Sequence, residues 1–302
     1  MIPLVVWRLS DGKAGHDSQS RGLAEALARL QPVEMVTLSP LPPLTALNSL
    51  LCGYQPAWSR QPAPDLLLGA GHRTHLSLLA ARRARGGKAV VLMRPSLPLR
   101  LFDLCLIPEH DAPPTRPNVL ATRGALNRIL PSATLESDRG LLLIGGPSAH
   151  FAWNDAKVCQ QIAAITAADP AIHWTLTTSR RTPSSFLEAL PGVSGAELTV
   201  VPVAQTSKDW LPTQLARAGQ VWVTADSVSM VYEALTSGAA VGVLEVPQQR
   251  ANRISRGLDR LTEEGWVTLF TDWRRDRRLH LLTQPFNEAE RCARWIVERW
   301  FA

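Results

Sequence analysis

The segment from Thr224 to Leu235 carries residues that suit an anion at the start of a helix. Asp226 and Ser227 are good N-cap residues, and the open amides and the dipole of a first helical turn favour a negative charge. Ser229 and Glu233 are four residues apart, so both lie on one face of this helix. A phosphate at the first turn and a ribose over Glu233 would fit a nucleoside diphosphate. An ordinary capped helix explains the same residues without a ligand.

Two further loops follow predicted strands and could meet the same ligand. Gly145 and Gly146 allow a close backbone approach, which either a bound phosphate or a simple tight turn would use. The run from Thr177 to Pro183 combines hydroxyl groups with two arginines, which suits a diphosphate. A capped loop with solvated arginines is the alternative there.

The segment Ser10–His16 holds the candidates for acid–base chemistry. It has neither the spacing of a P-loop nor the GxGxxG spacing of a dinucleotide site, so ATP hydrolysis of the P-loop kind is disfavoured. Asp11 or His16 could act as a general base toward an acceptor hydroxyl. A plain helix-start loop is the other interpretation.

The loop Gly69–His75 places an arginine and two histidines after a short strand. Arg73 could clamp a phosphate or a carboxylate. His72 and His75 do not follow the HExxH pattern and no third ligand is evident, so no metal site is predicted.

Short apolar strands alternate with amphipathic helices along the chain, which favours parallel sheets covered on both faces. The first helix is expected over Ser18–Leu30, and Arg123–Arg139 is expected to be a connector. A buried strand near Leu141 then restarts the pattern. We therefore expect an α/β protein of two Rossmann-like, doubly wound domains, residues 1–137 and 138–302. Ligands of such sheets bind beyond the carboxyl ends of the strands.

The net charge of +6 and the pI near 9.6 favour anionic partners. The densest basic cluster, Arg274–Arg278, is either a solvated turn or a patch that anchors the protein to an anionic membrane. No aromatic-rich basic patch points to nucleic acid. The four cysteines form no CxxC pair and are expected to be buried in a reducing compartment. The N-terminal apolar run is too short for a signal peptide or a membrane span, so we expect a cytoplasmic protein, peripheral on the inner face of the cell membrane if the patch anchors it.

Seven motifs together resemble the bacterial branch of the ELM1-like family, which is named for plant mitochondrial fission proteins. They are Ser10–His16, Gly69–Thr74, Pro108–Asp111, Gly124–Arg128, Ile144–Ser148, Thr178–Pro183 and Asp226–Met230. This family is similar to the GT-B glycosyltransferases, in which two Rossmann-like domains face a cleft and the second binds a nucleotide sugar. In that fold the final helix often returns to the first domain, as residues 287–301 could do.

The resemblance implies a role for each candidate residue. Donor binding is expected of Gly145, Gly146, Ser148, Thr178, Ser179, Arg180, Asp226, Ser227, Ser229, Met230 and Glu233. The acceptor side or cleft is expected to include Gly12, Lys13, Gly15, His72, Arg73 and Asn127, with Asp11 and His16 as catalytic residues. GT-B enzymes usually need no bound metal or cofactor, because the helix dipole and basic side chains offset the charge of the leaving group.

Two hypotheses about function follow. The first is transfer of a sugar from a nucleotide sugar to a glycan or lipid-linked acceptor of the cell envelope. The alternative is a non-catalytic adaptor that binds a protein or membrane partner. A sugar-nucleotide epimerase is disfavoured because it would require a dinucleotide fingerprint.

Overall fold

The computed structural model describes residues 2–190, 198–249 and 253–301, with the side chains of 253–255 left out. The chain divides into two compact units. The first comprises Met1–Arg128 and Asn287–Ala302, and the second comprises Ile129–Phe286. Each unit holds a six-stranded parallel sheet with helices, so the predicted α/β class with two Rossmann-like sheets is confirmed.

The first unit has the strand order β2-β1-β3-β4-β5-β6. Its strands are β1 (Leu4–Leu9), β2 (Val33–Leu38), β3 (Leu66–Ala70), β4 (Lys88–Leu92), β5 (Leu104–Pro108) and β6 (Val119–Thr122). Its helices are α1 (Ala14–Leu30), α2 (Pro43–Cys52), α3 (His72–Arg85) and the last helix of the chain, α10 (Glu288–Trp300). Every residue of β3 is buried, as expected for a parallel strand covered on both faces.

Helix α10 belongs to the core of the first unit, although it comes last in the sequence. Cys292 and Ile296 pack in one cluster with Leu23 and Leu27 of α1 and with Leu66 of β3. The opposite face of the same sheet has its own cluster, which includes Trp7, Leu67, Leu78 and Ile107. Successive leucines of β3 therefore serve different layers, which fixes the register of this strand.

The second unit has the strand order β12-β11-β10-β7-β8-β9. Its strands are β7 (Glu136–Leu143), β8 (His173–Thr177), β9 (Leu198–Val201), β10 (Ala218–Thr224), β11 (Ala240–Leu244) and β12 (Thr268–Leu269). Its helices are α4 (Asp155–Ala168), α5 (Ser184–Ala189), α6 (Trp210–Leu215), α7 (Val228–Ser237), α8 (Arg253–Glu263) and α9 (Phe270–Asp276).

Three local expectations need correction. Helix α1 begins at Ala14 and not at Ser18, so His16 lies in its first turn. The expected connector is not free of structure, because β7 already begins at Glu136 and Ser132 donates a backbone hydrogen bond to the carbonyl of Ser237 within the second unit. In this part of the chain the first compact unit ends at Arg128 and the second begins at Ile129. Cys52 is exposed, whereas the other three cysteines are buried as expected.

Each sheet has one point at which the order of its strands reverses. In the first unit this point lies between β1 and β3, and in the second it lies between β7 and β10. Ligands of open α/β sheets bind at such a point, beyond the carboxyl ends of the strands. Among the described residues, no helix is long and apolar enough to cross a membrane.

Candidate functional site

Asp11 and His16 form a hydrogen-bonded pair at the reversal point of the first sheet. A tight turn after β1, with Gly12 at φ +78°, brings the chain back toward α1. The carboxylate of Asp11 accepts the backbone N–H of Lys13 at 3.2 Å. The Nδ1 atom of His16 lies 3.0 Å from Oδ2 and 3.1 Å from Oδ1 of Asp11. The carboxylate is withdrawn from solvent, while the imidazole remains 21% exposed.

This pairing determines which nitrogen of His16 is available for chemistry. A carboxylate only accepts hydrogen bonds, so Nδ1 must carry the proton and Nε2 holds the lone pair of the neutral ring. Among the described residues, none bonds to Nε2. Burial alone would raise the pKa of Asp11, but the Lys13 amide and His16 outweigh it and lower that pKa. Asp11 therefore stays ionised and orients the His16 ring, an arrangement that a general base would need.

Gly71 provides the surface on which the His16 ring rests. It precedes α3 at φ +84°, and a Cβ built at this position would overlap the imidazole atoms Cε1 and Nδ1. The ring thus lies at the N-terminal end of α3, between the loops that follow β1 and β3. Gly12 and Gly15 have open space around their Cα atoms, so this loop could admit a ligand without moving another side chain.

The remaining acceptor-side candidates fall into two groups. His72 and Arg73 begin α3 beside Gly71 and are exposed, as is Lys13 before α1. Asn127 is instead buried, and its backbone carbonyl packs against Gly22, more than one turn beyond His16 on α1. The structure thus brings the first three near Asp11 and His16 but does not bring Asn127 there.

His75 is a third histidine near this pair. Burial lowers its pKa to about 4, and electrostatic interaction with the neighbouring His72 and His16 lowers it further. Its Nδ1 atom lies 3.1 Å from Oγ of Ser96. His75 is therefore neutral at ordinary pH and adds no charge beside His16.

Arg8 and Asp17 lie outside the predicted site residues and fix α1 to β1. Arg8 is only 5% exposed, and its guanidinium pairs with Asp17 in the first turn of α1. Ser10 donates to the same carboxylate at 3.1 Å. Burial would raise the pKa of Asp17, but Arg8 and Ser10 lower it. The sequence feature that could have revealed this pair is an arginine within the otherwise apolar β1 strand. A charged residue is rarely buried without a partner, so Arg8 predicts a nearby carboxylate.

In the second unit, the loop after β7 is bound to the end of β10. The amide of Gly145 donates to Oγ1 of Thr224 at 2.7 Å, and that of Gly146 donates to Oδ2 of Asp226 at 3.0 Å. A Cβ at residue 145 would overlap the Asp226 carboxylate, and one at residue 146 would overlap the backbone carbonyl of Arg181. Both glycines are thus required by close packing within the protein.

Arg181 completes this arrangement. Its guanidinium donates to Oδ2 of Asp226 and to the carbonyl of Gly146, each at 2.7 Å. The Asp226 side chain is fully buried. The predicted arginine was Arg180, which is exposed and makes no hydrogen bond or ion pair with the described residues. Arg181 therefore holds the loop, and Arg180 is the one available to an external anion.

Three predicted hydroxyl groups are already used in holding loops. Thr178 accepts the backbone N–H of Val203 at 3.0 Å. Ser179 donates to the carbonyl of Gly145 at 3.0 Å. Ser148 accepts the backbone N–H groups of His150 and Phe151, both at 3.2 Å. These residues shape the loops, and a ligand that used their hydroxyls would have to replace these bonds.

The start of α7 retains the features of an anion site. Ser227 is the N-cap residue, but its side chain makes no capping hydrogen bond. The amides of Met230 and Val231 donate the first hydrogen bonds of the helix, both to the carbonyl of Ser227. The amides of Val228 and Ser229 precede these bonds, as do the first amides of any helix, and such amides can bind an anion. Ser229 is exposed beside them.

Glu233 lies one turn further along α7. Burial raises its pKa to about 7, although part of the residue remains exposed. No described residue hydrogen-bonds its carboxyl group. At neutral pH it is present in both protonation states, so it can donate a hydrogen bond to a ligand hydroxyl as well as accept one.

The family profile described as mitochondrial fission ELM1 matches residues 14–300. The chain belongs to the mitochondrial fission ELM1 family. An uncharacterised protein of Rickettsia prowazekii, RP120, is 23% identical, and the match covers 96% of this chain and 97% of that protein. The ELM1 profile thus spans both units, including α10.

Solved structures identify the fold of this ELM1-family chain. A Listeria monocytogenes protein assigned as a UDP-N-acetylglucosamine 2-epimerase matches with a TM-score of 0.62 at 10% identity, over 99% of this chain and 97% of that one. MurG of Acinetobacter baumannii matches with a TM-score of 0.53 at 14% identity, over 99% of both chains. The Neisseria meningitidis UDP-GlcNAc 2-epimerase bound to UDP-GlcNAc matches with a TM-score of 0.51 at 11% identity, over 99% of both chains. The GT-B-like fold predicted from the sequence is thereby confirmed.

Proposed function

We propose that this chain is a GT-B-type glycosyltransferase that takes a sugar from a nucleotide-sugar donor. The observation that carries the proposal is the Asp11–His16 pair, because it leaves Nε2 of an oriented imidazole available to accept a proton. The acceptor is proposed to be a hydroxyl of a cell-envelope glycan or of a lipid-linked sugar.

In the proposed reaction, Nε2 of His16 takes the proton of the acceptor hydroxyl. The acceptor oxygen then bonds to the anomeric carbon as the bond from that carbon to the β-phosphate oxygen breaks. Asp11 stabilises the imidazolium that forms, as a carboxylate does behind a catalytic histidine. The nucleoside diphosphate leaves with the electron pair of the broken bond.

The donor is proposed to bind the second unit at the start of α7. The amide end of the helix, Ser227 and Ser229 would contact the diphosphate, and Glu233 would contact the ribose. Arg180 is positioned in a neighbouring loop with an uncommitted guanidinium. Because solved neighbours are named for UDP-N-acetylglucosamine, that nucleotide sugar is the first donor to test.

The test uses the intact chain with a panel of UDP, GDP and CDP sugars. A ligand that binds only the folded state raises the free energy of unfolding by about 2.7 kcal/mol at roughly 100 times its Kd. We expect at least one member of the panel to raise the Tm and to be hydrolysed slowly to the nucleoside diphosphate. His16→Ala should keep the binding and lose the turnover. Absence of any thermal shift in a folded protein would overturn the proposal and leave the adaptor hypothesis.

The same assay separates transfer from epimerisation. Proteins named as epimerases share this fold, so the missing dinucleotide fingerprint does not decide between the two reactions. An epimerase would convert the sugar without net transfer to an acceptor, and NMR of the product sugar would show it. The cytoplasmic and membrane-peripheral location stays a prediction.

A further inference from the structure

Helix α2 exposes a stripe of large apolar side chains. Leu44, Leu47, Leu51 and Tyr54 are 83%, 45%, 73% and 62% exposed. They follow one another at intervals of three, four and three residues, which places the three leucines along one face of the helix. The opposite face packs against α3 and buries Ala46 and Ser49. We call the four exposed residues the α2 stripe; exposed apolar groups of this kind mark interaction surfaces.

The stretch of sequence that contains the α2 stripe is strongly basic. Residues 35–102 contain one acidic residue, Asp65, and eight basic ones: Arg60, Arg73, Arg82, Arg83, Arg85, Lys88, Arg94 and Arg100. The segment therefore carries a net charge of +7, whereas the whole chain carries +6. The carboxylate of Asp65 accepts the backbone N–H of Val5 at 2.8 Å, so it is engaged within the protein.

Two of these arginines line a cavity beside α2 and have uncommitted side chains. A cavity of about 460 Å³ next to α2 is lined by Leu50, Leu79, Arg82, Arg83, Arg100 and Leu101. Arg82 donates to the carbonyl of Leu101 and to Asp103. Arg83 and Arg100 are exposed and make no hydrogen bond or ion pair with the described residues.

We propose that the α2 stripe docks this protein on an anionic phospholipid membrane. The leucines and Tyr54 would enter the boundary between headgroups and acyl chains, and Arg83 and Arg100 would meet the lipid phosphates. An anionic bilayer offers both an apolar region for the leucines and Tyr54 and negatively charged phosphates for the arginines. A second copy of the chain would bring the same arginines face to face in a symmetric dimer, which like-charge repulsion disfavours.

The test is co-sedimentation of the full chain with vesicles. We expect binding to vesicles of equal parts phosphatidylcholine and phosphatidylglycerol, weaker binding at high salt, and little binding to phosphatidylcholine alone. Arg83→Gln with Arg100→Gln should weaken binding about 30-fold, since each charge contributes about 1 kcal/mol at an anionic surface. Leu47→Ser with Leu51→Ser should weaken it roughly tenfold or more through lost apolar burial.

Matched variants in the second unit control for general effects. Leu281→Ser removes a leucine that is 79% exposed elsewhere and should leave binding unchanged. Several outcomes would overturn the proposal: no binding to the anionic vesicles, an equal loss in Leu281→Ser, or a loss in Arg275→Gln with Arg278→Gln but not in the Arg83 and Arg100 pair. A dimer in light scattering that Leu47→Ser with Leu51→Ser dissociates would identify a second copy as the occupant. None of these readouts depends on catalysis.

Discussion

The imidazole of His16 occupies the space that a Cβ on Gly71 would need. Gly71 also has φ +84° and ψ 152°, a region that is essentially restricted to glycine. Two independent constraints therefore require glycine here, one from the backbone and one from the ring that rests on it. The position of the His16 ring therefore depends on Gly71 through the absence of a side chain and not through a hydrogen bond.

Gly71→Ala should displace His16 and destabilise the first unit. Gly86 is a matched control, because its φ is +82° and a Cβ there would meet nothing within 4 Å. Both alanines incur the backbone cost of about 1–2 kcal/mol, but only Gly71→Ala adds a steric cost of roughly 1–3 kcal/mol. Urea unfolding measures the difference, and the NMR signals of the His16 ring should move only in Gly71→Ala. Equal losses of stability in the two variants would contradict the steric argument.

Asp11→Asn should leave His16 as a mixture of its two neutral tautomers without disrupting the fold. An asparagine can present either an oxygen or an NH₂ group to Nδ1, so the proton is no longer confined to that nitrogen. If His16 is the base, turnover falls by about 10²–10⁴-fold with little change in donor binding. The ¹⁵N shifts of His16 report the tautomer without any assay of activity. Unchanged shifts would show that the carboxylate does not set the tautomer.

Substitution of Arg181 should lower stability, whereas the same substitution of its neighbour Arg180 should weaken donor binding. Arg181→Met leaves the buried Asp226 without its cation and should lower the free energy of unfolding by about 1.5–3 kcal/mol. Arg180→Met removes an exposed side chain and should change stability by no more than about 0.5 kcal/mol. Donor binding at the proposed site should weaken in Arg180→Met. Thermal unfolding and nucleotide titration of both variants test the assignment.

The location of the candidate site could be predicted from the sequence, but several of its contacts could not. Apolar runs such as β3 predict parallel strands, and the loops after them predict where ligands bind. Nothing in the pattern distinguishes Arg180 from Arg181, because a loop has no periodicity to assign the faces of its residues. The pairing of Asp226 with the second arginine arises only when three loops fold together.

The starts of helices α1 and α2 could not be predicted either, because the residues there give weak or misleading signals. Helix α1 starts after Lys13, which offers no side-chain cap, and Gly15 in its first turn is a poor helix former. Prolines precede helix α2 at positions 40, 42 and 43, and in a sequence such residues predict the end of a strand because proline cannot donate into a ladder. Pro43 is in fact the first residue of the helix, a position where proline costs no hydrogen bond. The α2 stripe could therefore be recognised only in the folded chain.

Glu233→Gln should remove a component of the pH dependence of stability. Burial raises the folded-state pKa of Glu233 from 4.5 to about 7. Between these values the unfolded state releases a proton that the folded state retains, so the free energy of unfolding falls as pH rises. Wild type and Glu233→Gln should therefore differ least below pH 4.5, and the variant should gain relative stability up to about pH 7. Urea unfolding across this range, without nucleotide, gives the two profiles; parallel profiles would show that the carboxyl group ionises normally in the folded protein.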